Sequence, residues 1–260
     1  MLDIHATIRL NNGSAIPRLG LGVWQIPDGQ PVIQAVSWAL EAGYRHFDTA
    51  KIYGNESGVG EAIRNSQIPR EKIWITTKLW GGDQFNATSA FEDSRRRLGL
   101  DYIDLYLVHW PLPGLVKRTW KQMEKIFIGG KCKAIGVSNH NVRQLKDILS
   151  IASVAPAVNQ VKCSPFDFNK ELYDFCREQH IAFEAYSPLT RGHQLDNKTL
   201  QELAEKYHKA SSQILIRWAL QKDMVVIPKS AQQAHIQQNA DVFDFELTDT
   251  DVSTLDNLSR

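Results

Sequence analysis

The 260-residue sequence has only three cysteines, Cys132, Cys163 and Cys176, with no Cys-x-x-Cys pair and no zinc-ligand spacing. That excludes a disulfide scaffold and a structural zinc site, and reduced, partly buried thiols are expected. Neither sign of charge is in excess: 30 Lys and Arg face 29 Asp and Glu, for a net charge of +1. Nucleic-acid binders usually carry a basic surplus, so no nucleic-acid partner is expected. No stretch approaches the roughly 18 uninterrupted apolar residues of a membrane span. The opening Met-Leu-Asp-Ile-His-Ala-Thr-Ile-Arg-Leu has no apolar leader core. These absences predict a cytoplasmic protein without a membrane partner. A coiled-coil seam and an apolar stripe are missing too, so a monomer is expected.

What is present is a regular alternation. Apolar, β-rich runs fall at residues 19–22, 46–48, 73–79, 103–109, 134–138, 158–163, 182–186 and 224–228. Amphipathic helical patterns lie between them. Successive starts differ by 24 to 42 residues, and a βαβ unit takes about 30, so seven crossovers fit. The last gap leaves room for an extra helix. Pro31 and Gly43 bracket one helix, Asn86 and Gly99 another, with Asn86 as the expected cap, and Asn169 opens a third. Eight strands alternating with helices over about 250 residues predict an α/β fold, a (β/α)8 TIM barrel, as one domain over residues 1–260. A dinucleotide-binding doubly wound sheet fits poorly, because Gly20-Leu21-Gly22 supplies only Gly-x-Gly. Residues 7–17, with an Asn-Gly turn, predict a β-hairpin closing the barrel floor.

Polar residues collect at one end of these strands. Asp48 ends the second, Lys78 falls near the end of the third, His109 ends the fourth, Ser138-Asn139 the fifth and Tyr186-Ser187 the seventh, and Lys229-Ser230 follow the eighth. In a barrel all of them meet at the C-terminal rim, where the chemistry is built. Tyr53 follows Asp48 by five positions. An unperturbed phenol titrates near pH 10, and lowering it by about three units takes roughly 4 kcal/mol. A cation about 4 Å away supplies a term of that size at an effective dielectric of about 20. Lys78 is expected to be that cation, held charged by Asp48, with His109 placing a carbonyl oxygen against the phenol. An amine beyond roughly 8 Å would be screened and would defeat this reading. Trp24, Trp80 and Trp110, each just past a strand, are expected to wall a substrate pocket. Pro228-Lys229-Ser230 before a helix reads as a phosphate site.

Several motifs follow one another in order: Gly-Tyr-Arg-His-Phe-Asp-Thr-Ala (43–50), Ile-Tyr-Gly-Asn-Glu (52–56), Leu-Asp-Tyr-Ile-Asp-Leu-Tyr-Leu-Val-His-Trp-Pro (100–111), Ile-Gly-Val-Ser-Asn (135–139), Asn-Gln-Val (159–161), Ala-Tyr-Ser-Pro-Leu (185–189) and Ile-Pro-Lys-Ser (227–230). On these motifs nearly the whole chain resembles the aldo-keto reductase superfamily, in particular its prokaryotic-type members related to 2,5-diketo-D-gluconate reductase. The resemblance implies NADP(H)-dependent reduction of small aldehydes, α-dicarbonyls or sugar ketoacids. Asp48, Tyr53, Lys78 and His109 match the catalytic four, with Tyr53 as general acid. Ser138, Asn139 and Gln160 match residues that hold the nicotinamide amide, and Tyr186 the ring that stacks on it. Ser187 and Leu189 match the pyrophosphate path, Lys229 and Ser230 the 2′-phosphate site, and Asn239 an adenine contact.

The chain departs from the pattern in two places. His235 stands where relatives commonly have Arg, and Gln238 where Glu is usual. Since Arg is always charged and His mostly neutral above about pH 6.5, some acceptance of NAD(H) is expected. The loop Leu-Pro-Gly-Leu-Val-Lys-Arg (112–118) and the segment ending at Arg260 are short, which predicts broad specificity. Two competing readings share the fold: a non-catalytic nucleotide-sensing subunit, and an aldolase forming a Schiff base at Lys78.

Overall fold

The computed structural model describes residues 2–259, so Met1 and Arg260 of the expected domain lie outside the described residues. Strands β1 (Thr7–Arg9) and β2 (Ala15–Pro17) form an antiparallel hairpin. Strands β3 (Leu21–Gly22), β4 (His46–Asp48), β5 (Trp74–Leu79), β6 (Ile103–Val108), β7 (Cys132–Ser138), β8 (Val158–Lys162), β9 (Ala182–Tyr186) and β10 (Val225–Ile227) form a parallel sheet in sequence order. The sheet closes on itself through Gly20 N–H to Val226 O at 2.9 Å and Gly22 N–H to Pro228 O at 3.1 Å. The eight expected strands are all present, with boundaries within a few residues. Leu19 joins the first only as a bridge to Val226, and His109 falls just past β6.

Helices α1 (Gln30–Glu41), α2 (Glu56–Asn65), α3 (Ala87–Leu98), α4 (Val116–Ile128), α5 (Val142–Leu149), α6 (Lys170–Glu178), α7 (Lys198–Tyr207), α8 (Ser211–Gln221), α9 (Gln233–Ala240) and α10 (Asp249–Asp256) surround the sheet. The long gap between β9 and β10 holds both α7 and α8, as its length suggested. Outward-facing strand residues such as Phe47, Ile75, Tyr106, Ile135, Phe183 and Val226 pack with the apolar helix faces into one core. Strands covered on both sides are nearly continuous in apolar character for this reason.

A second, smaller core fills the lower barrel: Trp74, Leu105, Leu107, Ala134, Val158 and Val225 meet Leu10 and Ile16 of the hairpin. The hairpin therefore plugs the floor. Its turn is longer than a two-residue Asn-Gly connection. Leu10 N–H donates to Ser14 O across Asn11-Asn12-Gly13, and Gly13 takes φ +87°, the left-handed conformation in which glycine has no Cβ penalty. Asn86 precedes α3, but its side chain makes no cap; Gln122 instead accepts from Ala87 N–H at 3.1 Å. Here a neighbouring helix meets a need that Asn86 was expected to meet locally. Asn169 does cap α6, accepting from Leu172 N–H at 3.0 Å.

Candidate active site

Strand period and barrel tilt bring the polar strand ends together. Lys78 Nζ donates to Asp48 Oδ1 at 2.6 Å and to Thr49 O at 2.8 Å, and both charged groups are buried. Gln160 Nε2 donates to the other Asp48 oxygen at 2.7 Å. Tyr53 lies on a short 3-10 turn, Lys51–Tyr53, that follows β4. Its ring centre is 5.0 Å from Lys78 Nζ, well inside screening range. The His109 ring meets Tyr53 edge to face at 5.8 Å and Trp80 at 5.6 Å. Asp48, Tyr53, Lys78 and His109 thus converge on one spot.

The electrostatics corrects one expectation. Burial raises the Tyr53 pKa above the ordinary phenol value; Lys78 pulls it down, but Asp48 and Glu184 oppose that pull. The sequence argument counted the cation and omitted the desolvation of a half-buried phenolate. Tyr53 is therefore fully protonated at neutral pH. Burial also works against the Lys78 ammonium, yet Asp48 and Tyr53 outweigh it, and its pKa is raised. A protonated amine is no carbonyl nucleophile, which counts against the Schiff-base reading.

Burial, with help from Lys78, pushes His109 down to about 3. His109 is expected to stay neutral from pH 8 to below pH 5, read from its imidazole NMR shifts. A midpoint near the ordinary 6.5 would contradict this electrostatic picture.

Ser138, Asn139, Gln160 and Tyr186 form one network above β7 to β9. Ser138 Oγ donates to Gln160 O at 2.8 Å, Asn139 Nδ2 to Ser138 Oγ at 3.0 Å, and Tyr186 Oη to Asn139 Oδ1 at 3.0 Å. Asn139 takes φ +60°, which re-aims its amide at the strand end. Gln160 links this network to Asp48. Ser187, also left-handed at φ +50°, and partly buried Leu189 lead into the segment after β9. There, Arg191 lies over the Trp24 ring at 4.6 Å. Trp80 and Trp110 are 36% and 47% exposed and stand at the same mouth; Trp24 shares its face with Arg191.

The remaining expected cofactor residues lie past β10. Exposed Lys229 forms no ion pair among the described residues, and the Ser230 hydroxyl accepts Gln232 N–H at 3.1 Å just before α9. On α9, His235 and Gln238 are exposed, whereas Asn239 is buried with its Oδ1 lacking a donor. Cys132, Cys163 and Cys176 are buried free thiols.

Sequence reasoning missed the groups that hold this site. Asn55 Nδ2 donates to Val23 O and Ile26 O, both at 2.9 Å, and Asn55 Oδ1 accepts from Thr49 at 2.7 Å. It ties the loop bearing Trp24 to the one bearing Tyr53. Glu56 is buried between Thr77 and Arg97, at 2.6 Å from each. Gln84 Nε2 donates to Trp110 O at 2.8 Å, and Gln84 Oε1 accepts from Thr119. Asn55 and Glu56 lie inside the quoted 52–56 motif; Gln84 carried no signal at all.

The aldo/keto reductase family profile matches residues 18–260. The chain belongs to the aldo/keto reductase family. As such it is an oxidoreductase acting on carbonyls, and the family uses nicotinamide cofactors. It is 46% identical to the 9,11-endoperoxide prostaglandin H2 reductase of Trypanosoma cruzi over 258 residues, covering 97% of this chain and 91% of that protein. Identity is also 46% to the glyoxal reductase of Bacillus subtilis, over 99% and 94% of the two chains. The crystal structure of a Brucella melitensis aldo/keto reductase superposes with a TM-score of 0.93 at 46% identity, over 97% and 99%. A Bombyx mori aldo-keto reductase in complex with NADP superposes at 0.90 and 36% identity, over 99% and 94%. No helix among the described residues is long and apolar enough to cross a membrane.

Proposed function

We propose that this aldo/keto reductase reduces small aldehydes and α-dicarbonyls with NADPH, using Tyr53 as the proton donor. The observation that carries the reading is the convergence of the Tyr53 phenol and the His109 ring on a buried Lys78–Asp48 pair. When bound, the reduced nicotinamide supplies a hydride to the carbonyl carbon. Tyr53 delivers a proton to the oxygen as it becomes an alkoxide, and the Lys78 charge stabilises the tyrosinate left behind. Neutral His109 keeps a ring N–H to hold that oxygen against the phenol; an imidazolium there would add a second cation beside Lys78. Trp80 and Trp110 give the carbonyl an apolar wall on one side of a wide mouth. The glyoxal reductase at 46% identity supports a dicarbonyl substrate.

The residues present fit a dinucleotide. An unpaired buried amide oxygen such as Asn239 Oδ1 costs about 1–3 kcal/mol, and an adenine amine is a donor that suits it. Ser138, Asn139 and Gln160 would hold the nicotinamide carboxamide, Tyr186 would stack on its ring, and Ser187 and Leu189 would border the pyrophosphate. Lys229, with no anionic partner among the described residues, and Ser230 suit a 2′-phosphate. His235 puts a single imidazole where an arginine would offer a fork of N–H groups, so NADH is accepted as well. His235→Arg is expected to raise the NADPH-to-NADH ratio of kcat/KM about tenfold, the size of one charge-assisted hydrogen bond. An unchanged ratio would count against this assignment.

The test is loss of dihydronicotinamide absorbance with glyoxal, methylglyoxal and aromatic aldehydes, using each cofactor. Turnover of several small carbonyls, fastest with the dicarbonyls, is the expected result. Tight cofactor binding without turnover of any carbonyl would overturn it.

A further inference from the structure

A fully buried acid that the scheme above does not use lies beneath the catalytic pair. Glu184, in the middle of β9, points into the barrel, as do its register neighbour Gln160 on β8 and Tyr186 two residues on. Neither of its carboxyl oxygens has a well-aligned hydrogen-bond donor among the described residues; the Gln160 amide, whose Nε2 is engaged with Asp48, lies close enough only to favour the ionised acid weakly. From β4, His46 Nε2 is 3.8 Å from Glu184 Oε1, but that nitrogen is engaged with Thr76 Oγ1 at 3.1 Å. Burial keeps the imidazole neutral to about pH 3. Lys78 on β5 already serves Asp48 and Thr49 O. β10 contributes only Val225 at this level. The charged groups that act on Glu184 are therefore Asp48 and Lys78, and Glu184 acts in turn on Tyr53. Gly20 keeps room for the arrangement, since a Cβ there would stand 2.7 Å from His46 Nδ1.

We propose that Glu184 is a positioning residue for proton transfer at Tyr53: the charge carried by this buried carboxyl, facing the Asp48–Lys78 pair, sets how readily the phenol gives up its proton. The argument is charge balance. Asp48 and Lys78 sum to zero beside the phenol. An ionised Glu184 adds a second carboxylate facing the same single ammonium, and the tyrosinate that must form is then disfavoured. A unit charge at about 10 Å and an effective dielectric of about 20 changes a neighbour's pKa by about one unit. Burial, reinforced by Asp48 and opposed by Lys78 and the Gln160 amide, raises the Glu184 carboxyl to about 8. Because that value is raised, the neutral form prevails at pH 7 and is lost as the pH climbs through 8.

The inference rests on Tyr53 as the donor, and the experiment separates the two. The carbonyl reduction rate, kcat/KM, is measured from pH 6 to 10 in the wild type, Glu184→Gln and Glu184→Met, alongside infrared titration of the buried carboxyl band. The wild type should lose rate with a midpoint near 8. Both variants should hold their plateau. Normalised to its own pH 6.5 rate, each should exceed the wild type at pH 9.5 by about three- to tenfold, the Brønsted consequence of a one-unit change in the donor. The infrared band of a protonated carboxyl should vanish over the same range in the wild type and be missing from both variants. If the profiles coincide, or the band is already absent at pH 6.5, the proposal is overturned. If one variant fails to fold, the other reads the same loss of charge. An active Tyr53→Phe enzyme would instead defeat the functional reading, whatever the Glu184 profiles show.

Discussion

Lys78→Met is expected to lower the melting temperature by about 10 °C and to abolish measurable carbonyl reduction. The ammonium and the Asp48 carboxylate are both shut away from water and lie 2.6 Å apart. Removing one member of such a pair leaves the other charge uncompensated, at a cost of about 3–5 kcal/mol. For a chain of this size each kcal/mol shifts the melting point by roughly 2–4 °C. The double variant Asp48→Asn, Lys78→Met should recover most of that loss, because no charge is then stranded and an amide oxygen still accepts from Gln160. It should recover none of the activity, since the cation that steadies the tyrosinate is gone. Calorimetry and turnover on the single and double variants check the pair. A double variant as unstable as the single, or an active Lys78→Met enzyme, would disprove this account of Lys78.

Tyr53→Phe should reduce kcat by about a thousandfold, within the 10²–10⁴ range that a well-placed general acid contributes. Cofactor affinity should change little, because the phenol makes no hydrogen bond to the Ser138–Asn139–Tyr186 network. The ring would keep its edge-to-face contact with His109, so the pocket should hold its shape and the melting point should fall by only a few degrees. Stopped-flow reduction and cofactor fluorescence quenching distinguish the two effects. If binding and turnover fell together, Tyr53 would be supporting the pocket rather than donating a proton.

The barrel could be read from the sequence because its determinants are local and repeated. Apolar runs of strand length, punctuated helices such as α1 and α6, and polar residues at the run ends all recur along the chain. The four candidate catalytic residues could be picked out for a related reason: Asp48, Lys78 and His109 lie at or beside the ends of their strands, and Tyr53 on the turn that follows β4. What escaped prediction depends on distant parts of the chain meeting. Gln84 acquires its role only because Thr119 and Trp110 arrive beside it. Asn86 loses its expected role because Gln122 arrives first. The direction of the Tyr53 shift was misjudged because a sequence names the neighbouring cation but not the amount of water excluded. Glu184 carries no signal in the sequence pattern; only closure of the barrel brings it within 3.8 Å of His46.

The central claim, one proton handed from Tyr53 to the new alkoxide, is tested most directly by a proton inventory of single-turnover reduction. The rate constant is followed as H2O is replaced stepwise by D2O at neutral pH, on the plateau below the Glu184 transition. The account predicts a normal solvent isotope effect and a straight line against deuterium fraction, because a single exchangeable hydrogen moves. A rate indifferent to D2O, or a bowed line reporting several hydrogens in flight, would contradict it.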